Sequence, residues 1–355
     1  MPKGRPIVSD VGSETYEISA YIDSFLQPLA QRHFSYIKNT QEFLAKVQNQ
    51  NLPENAILVT ADIESLYTNI DTTFGLGTIR QIFNEHPDDT RPDDIILKML
   101  EICLNKNDFS FNGNSYLQIQ GTAMGKRFAP SYANLALVPF DKLLLAHKTK
   151  APLFYCRYID DLFFVFVGTD AELEEFKVYL NSLFPFIKLS FEASRKQVSF
   201  LDTLVFKHND SINTKVFFKE TDTHLLLHKN SAHPQHVFKG IIKSQILRFK
   251  RICTNVMDFD EACNILFEAL MQRGYKRTFL AKIKIDTIRE LNNRPTSKNN
   301  NIVPILIPFS PEYAFIGREW MKIIRENYSE CTIKPILAFT KGKTLGNYLV
   351  SAKVK

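Results

Sequence analysis

The sequence predicts an α+β fold, an antiparallel sheet backed by helices and followed by a helical region, and three observations carry that reading. Short apolar runs bounded by turn residues recur at Ile57 to Val59, Leu153 to Tyr155 and Leu162 to Val167, which is strand patterning. Between them lie longer stretches with apolar residues at helical spacing. From Thr223 to Glu290 the pattern turns helical and the charge changes with it. Twelve Lys and Arg stand there against six Asp and Glu, an excess equal to the net charge of +6 on the whole 355-residue chain.

In chain order, Met1 to Val11 reads as loop and edge strand, and Tyr16 to Gln48 as helix through Ile18, Ile22, Phe25 and Leu29. Pro92 to Asn107 reads as a helix with Ile95, Ile96, Met99, Leu100 and Cys103 on one face, and Phe109 to Gln120 as a hairpin turning at Asn112 and Gly113. Ala129 to Lys148 is apolar nearly all round, so one helix buried under the sheet is expected. Asp170 is placed to cap a helix reaching Leu183. Phe186 to Phe191, Val198 to Phe206 and Ile212 to Phe218 read as strands. Asn292 to Asn301 is an asparagine-rich linker, and Ile302 to Lys355 a short mixed tail with no assigned chemistry.

Composition narrows the class. With 45% hydrophobic residues the chain can bury a large core, and its positive charge fits an anionic partner. Five cysteines without a CxxC pair argue for reduced thiols over a disulfide framework or zinc module. His224, His228, His233 and His236 cluster without a nearby cysteine and read as packing or backbone contacts. No apolar stretch approaches the roughly 20 residues of a membrane span and no signal peptide opens the chain, so an intracellular protein is expected.

Chemistry enters with Tyr158, Ile159, Asp160 and Asp161 at the tip of an apolar hairpin. Ionised side chains are buried only when paired or bound to metal, so two adjacent carboxylates there are not a packing device. Asp62 ends another apolar run. If the two elements are neighbouring strands, Asp62 and Asp160 converge where divalent cations bind, the layout of two-metal phosphoryl transfer.

These blocks resemble a known family. Asp62, Ile63, Glu64, Ser65, Leu66, Tyr67, Thr68, Asn69 and Ile70 are similar to motif A of a reverse transcriptase palm, and Tyr158 to Asp161 to its motif C. Gly121 to Gly125, followed by Ala129 to Asn134, resemble motif B. Phe200, Leu201 and Asp202 match a signature of the Penelope-like retroelements, Arg5 to Val8 resemble their fingers motif 2, and Ser231 to Tyr275 looks like their thumb. The resemblance runs from residue 3 to about 290. It implies a right-hand polymerase with partial fingers (1–55), a palm (56–222), an α-helical thumb (223–290) and a linker with tail (291–355). The activity it implies is RNA-directed DNA synthesis in the nucleus, on an RNA template and DNA primer with dNTPs.

The resemblance also assigns roles. Asp62 and Asp160 would ligate two Mg²⁺ ions, or Mn²⁺, with the Ile63 carbonyl as a further ligand and Asp161 as a secondary carboxylate. Tyr67 would exclude a 2′-hydroxyl. Gly121 and Gly125 would pass close to the template and nascent base pair, with Gln120 on its minor-groove side. Lys3 and Arg5 would clamp the triphosphate, and Lys188 or Lys196 would protonate pyrophosphate. Lys126, Arg127, Lys243, Arg248, Lys250 and Arg251 are the candidate phosphate contacts. Against the family pattern, the first fingers motif, the N-terminal extension and a GIY-YIG endonuclease have no counterpart, Gly346 to Leu349 resembling only the connector to the last. Asp141 stands where a glutamate is usual. Two other readings stay open: a catalytically silent nucleic-acid-binding remnant of such an element, and a metal-dependent nuclease using the same carboxylates.

Overall fold

The computed structural model describes residues 7–48, 50–147, 150–293, 302–309, 311–327 and 334–340. Helices α1 (Tyr16–Arg32) and α2 (Thr40–Val47) lead to strand β1 (Ala56–Ile63), the short α3 (Leu66–Asn69), and helices α4 (Thr72–Glu85) and α5 (Asp93–Asn105). The hairpin β2 (Asn107–Phe111) and β3 (Asn114–Gln118) turns at Asn112 and Gly113, both at positive φ. Then come α6 (Ala129–Ala136), α7 (Val138–Leu145), β4 (Phe154–Tyr158), β5 (Asp161–Val167), α8 (Asp170–Ser182), β6 (Leu189–Ser194), β7 (Gln197–Phe200), β8 (Thr203–His208) and β9 (Ser211–Val216). Helices α9 (Gln235–Ile252), α10 (Val256–Gln272) and α11 (Arg277–Asn292) follow, and β10 (Ile302–Pro308), α12 (Pro311–Asn327) and β11 (Lys334–Thr340) close the described chain.

The chain divides into two compact units, Met1–Phe218 with Ile252–Asn255, and Lys219–Arg251 with Val256–Lys355. The first is organised by an antiparallel sheet in the order β4-β5-β1-β6. Alternation along β1 explains its two faces. Ile57, Val59, Ala61 and Ile63 join Leu162, Phe164 and Phe166 of β5 in a core shared with α1 and α4 to α8. Leu58 and Phe163 lie on the other face, where the Phe43 ring of α2 meets Phe163 at 5.1 Å and Phe200 at 4.7 Å. Phe200 is thus a packing residue, and Leu201, at φ +54°, turns β7 into β8.

Several sequence expectations shift here. Ala129 to Lys148 is two helices, because Pro139 has no N–H to continue the ladder and the chain breaks at Leu137. The cap of α8 is Thr169, in a reciprocal capping box with Glu172, rather than Asp170. Phe186 to Phe191 starts three residues late, as β6. Val198 to Phe206 splits at Leu201 and Asp202 into strands of a separate three-stranded sheet, β7-β8-β9. Ile302 to Lys355 contains a strand-helix-strand unit with parallel β10 and β11, where a tail was expected. The Gly346 to Leu349 connector, Lys3 and Arg5 lie outside the described residues.

Candidate active site at the end of the central sheet

Strand pairing brings the carboxylates together. β4 and β5 pair Tyr158 with Asp161, so Ile159 and Asp160 are the two turn residues, and β1 pairs Asp62 directly with Asp161. Asp160 is fixed beside that pair, since the Ile63 N–H donates to its carbonyl at 3.0 Å. The sequence has Asp62 and Asp160 converge; the register sets Asp62 directly across from Asp161, with Asp160 at the adjoining turn. Asp62 is exposed, Asp160 and Asp161 are half-buried, and Ile63 is the buried last residue of the same strand.

Whether these residues suit divalent cations depends on their donors. Among the described residues, no group of three or more His, Cys, Asp or Glu side chains is gathered closely enough to hold an ion alone. Carboxylates on adjoining backbone positions repel one another. Mg²⁺ retains waters and takes one or two carboxylates together with substrate phosphates, so a pair of hard oxygen donors at an open strand end fits it.

Beyond Asp62 the chain turns at Ser65, at φ +52°, into α3, which carries Tyr67 half-buried against the core. Burial, then the charges of Asp160 and Tyr158, push the Tyr67 phenol up to about 12, so it stays protonated beside the carboxylates. The Thr122 N–H donates to the Tyr67 carbonyl at 2.7 Å, holding the Gly121 to Gly125 segment against α3. Gly121 has φ +71°, and a Cβ there would sit 2.3 Å from the Tyr67 carbonyl oxygen; one on Gly125 would sit 1.8 Å from that of Val8. Both glycines are therefore already required by the chain's own backbone, whatever else passes close to them. Gln120 is exposed and donates to the Asn69 carbonyl at 3.2 Å, at the rim of a cavity of about 320 Å³ lined also by Thr68, Thr122, Phe109 and Tyr116.

The basic candidates separate sharply. Lys126 is buried, its ammonium 2.7 Å from Asp10 Oδ1 and also donating to Thr15, so it is an internal ion pair and not a phosphate contact. Arg127 is exposed and lies over the Tyr16 ring. Lys188 immediately precedes β6, whose Ser190 pairs with Asp62. Lys196 lies beyond Ser194, which pairs with Leu58, so it flanks the opposite end of the sheet and is removed as a proton donor. On α9, Lys243 is ion-paired with Glu290, Lys250 lies over the Phe259 ring at 5.4 Å, Arg248 is half-buried and donates to Gln245, and Arg251 is exposed. Exposed cations that sequence reasoning did not single out, Lys276, Arg277 and Lys282, stand at the start and on the surface of α11. Also missed was Arg157, a buried cation inside β4, although an arginine within an apolar strand is itself the signal.

The comparisons fit this geometry. Residues 14–199, more than half the chain, match the family described as reverse transcriptase (RNA-dependent DNA polymerase). The chain belongs to the reverse transcriptase family. Residues 225–285 match an animal helix-turn-helix domain, which covers α9, α10 and part of α11. Among solved structures, telomerase from Candida albicans in complex with a fragment of telomeric RNA superposes with a TM-score of 0.53 at 10% identity, over 88% of this chain and 57% of that one. The RNA-dependent RNA polymerase of a human picobirnavirus gives 0.48 at 10% identity, over 79% of this chain and 52% of that one. This reverse transcriptase chain thus spans about half the length of those two proteins, and at 10% identity the likeness to the telomerase is one of fold, a right-hand polymerase with an antiparallel palm sheet. The comparison with curated proteins gave no match.

Proposed function

We propose that the chain is an RNA-directed DNA polymerase of a Penelope-like retroelement, extending a DNA primer on an RNA template with dNTPs. The observation that carries this reading is the register of Asp62 with Asp161 and the turn at Asp160, with Tyr67 and Gly121 locked beside them by the Thr122 to Tyr67 bond. Asp62, Asp160 and Asp161 would hold the divalent ions, Mg²⁺ or Mn²⁺, which when bound stabilise charge on the attacking and leaving oxygens. The remaining work belongs to the chain. Tyr67 is backed by the core, and a ring fixed from behind would exclude a 2′-hydroxyl from the sugar site. Gln120 borders the base-pair side, and Lys188 stands at the carboxylate end of the sheet, where a proton for pyrophosphate is needed. Helices α9 to α11 supply the positive face of a thumb, in which phosphate contacts gain from released counterions.

Primer extension on RNA and on DNA templates, with Mg²⁺ or Mn²⁺, tests the proposal. Template-dependent incorporation of dNTPs is expected. Salt-sensitive primer-template binding without incorporation under any condition would replace it with the silent remnant.

A further inference from the structure

The groups that hold the hairpin carrying Asp160 and Asp161 lie behind it, in a buried polar cluster that the polymerase reading does not use. Arg157 in β4 is 1% exposed and Asp141 in α7 is 0% exposed. Arg157 has five N–H donors, and each has a partner. Nε donates to Asp141 Oδ1 at 3.0 Å, and Nη2 to Asp141 Oδ2 at 2.6 Å and to the Asn134 carbonyl at 3.0 Å. Nη1 donates to Asn134 Oδ1 at 2.9 Å and to the Ile159 carbonyl at 3.0 Å. The Asp141 carboxylate also accepts from the Tyr155 hydroxyl at 2.5 Å and from Ser35 at 2.8 Å. The burial of Arg157 opposes its charge, and the adjacent Asp141 outweighs that, so the guanidinium is held above its ordinary value.

One of these bonds does not serve the core. Ile159 sits at φ +55°, a left-handed conformation that a β-branched residue resists and keeps only where its surroundings impose it. Its carbonyl begins the peptide that leads into Asp160, and Arg157 Nη1 donates to that carbonyl. The Ile63 N–H of β1 donates to the next carbonyl, that of Asp160. The backbone on both sides of Asp160 is thereby fixed to two different elements.

Resting on the polymerase reading, we propose that Arg157 is a positioning residue. Held by Asp141 and Asn134, it forces the Ile159 peptide into its strained turn and so sets where the Asp160 carboxylate stands against Asp62. A lysine cannot replace it, since a point ammonium lacks the fork that spans Asp141, Asn134 and Ile159 together. Asp141 and Asn134 act through the same arginine, which joins α6 and α7 to the hairpin.

The test uses Arg157→Met with Asp141→Asn, which removes the cation without leaving an unpaired buried charge and keeps an acceptor for Tyr155 and Ser35. If that protein does not fold, Arg157→Lys carries the test, because it keeps the charge beside Asp141 and loses only the fork. The readout independent of metal and of activity is hydrogen exchange at the Ile63 amide. It is expected to speed up by about tenfold or more, while amides in the middle of β1 keep wild-type rates. In primer extension, kcat should fall by roughly ten- to a hundredfold, the cost of misplacing a reacting group, with primer-template affinity unchanged. Adding Ile159→Gly, which removes the steric cost of positive φ, should restore part of the rate. Wild-type exchange at Ile63 in the folded variant overturns the proposal, as does wild-type kcat, or a loss of rate that only follows the folded fraction. Should the wild-type chain itself fail to extend any primer, the polymerase reading falls, and the Ile63 exchange rate alone decides the role of Arg157 in the turn.

Discussion

Two charged regions of this chain follow opposite rules. At the end of the central sheet, carboxylates occupy strand-end and turn positions that packing does not need, while the cation behind them, Arg157, is buried with every donor matched. On α9, the cations that composition marked as a phosphate-gripping face are in part already engaged, Lys243 by Glu290 and Lys250 by the Phe259 ring. A surplus of charge therefore says little about which charges are available to a ligand; backbone geometry says more. The acidic site is specified by register, whereas the basic face is specified only by a count from which internal partners must be subtracted.

The largest expected effects fall on the acidic side. Asp62→Asn and Asp160→Asn should each lower incorporation by about a thousandfold or more, equivalent to several kcal/mol of transition-state stabilisation. The unfolding midpoint of Asp62→Asn should stay at the wild-type value, since that side chain is exposed. Asp161→Asn should be milder. If it proves as damaging as Asp160→Asn, strand register rather than the turn selects the ligands. Extension at wild-type rate by either of the first two variants would end the metal assignment.

A second contrast lies between adjacent cations. Lys126→Met leaves Asp10 buried and unpaired, at a cost of roughly 3–5 kcal/mol, whereas Arg127→Met at the exposed neighbour should stay within about 0.5 kcal/mol. Urea unfolding of both variants measures the difference. Equal effects would mean that the Asp10 to Lys126 pair contributes nothing that the surface arginine lacks.

That contrast also marks what the sequence could and could not specify. The α+β class and the carboxylates at the ends of the apolar runs follow from alternation and turn residues, which are local signals, whereas the order β4-β5-β1-β6 that makes their strands neighbours does not. Lys126 and Arg127 are indistinguishable in that language, because the partner of Lys126 lies 116 residues away at Asp10. The demand for Gly121 is likewise legible as a special backbone position, but its cause is the Tyr67 and Thr68 backbone, a tertiary contact. The break at Leu137 was available from Pro139 and was hidden by the continuous apolar run around it. The β10-α12-β11 unit was missed because Pro304 and Pro308 interrupt the strand pattern, and proline in an edge position is tolerated.

Tyr67 offers an intermediate effect. Its ring is packed against the core and its hydroxyl feels the charge of Asp160, so Tyr67→Ala removes both a packing contact and the proposed barrier to ribose. Competing dNTP and rNTP incorporation should show discrimination reduced by roughly 10- to 200-fold, the range expected when one small group is excluded sterically. Unchanged discrimination with lowered stability would assign Tyr67 to the core alone.

The smallest effects belong to the basic side, and there the two regions can be compared on one scale. Each phosphate contact released by substitution lowers the log–log slope of binding against salt by about 0.9 in magnitude, whatever the base sequence. Arg251→Ala and Arg277→Ala, at exposed positions, should each give that change. Lys243→Ala should give clearly less, because in the free chain its ammonium is already neutralised by Glu290 and releases little counterion on binding. Titrating primer-template binding against salt for the three variants decides the matter. A full change of slope for Lys243 would show that the ion pair opens when the duplex binds, and that the internal partner competes with phosphate rather than excluding it. No change for any of the three would make these helices a solvated basic face, and the grip on the duplex would have to come from other residues.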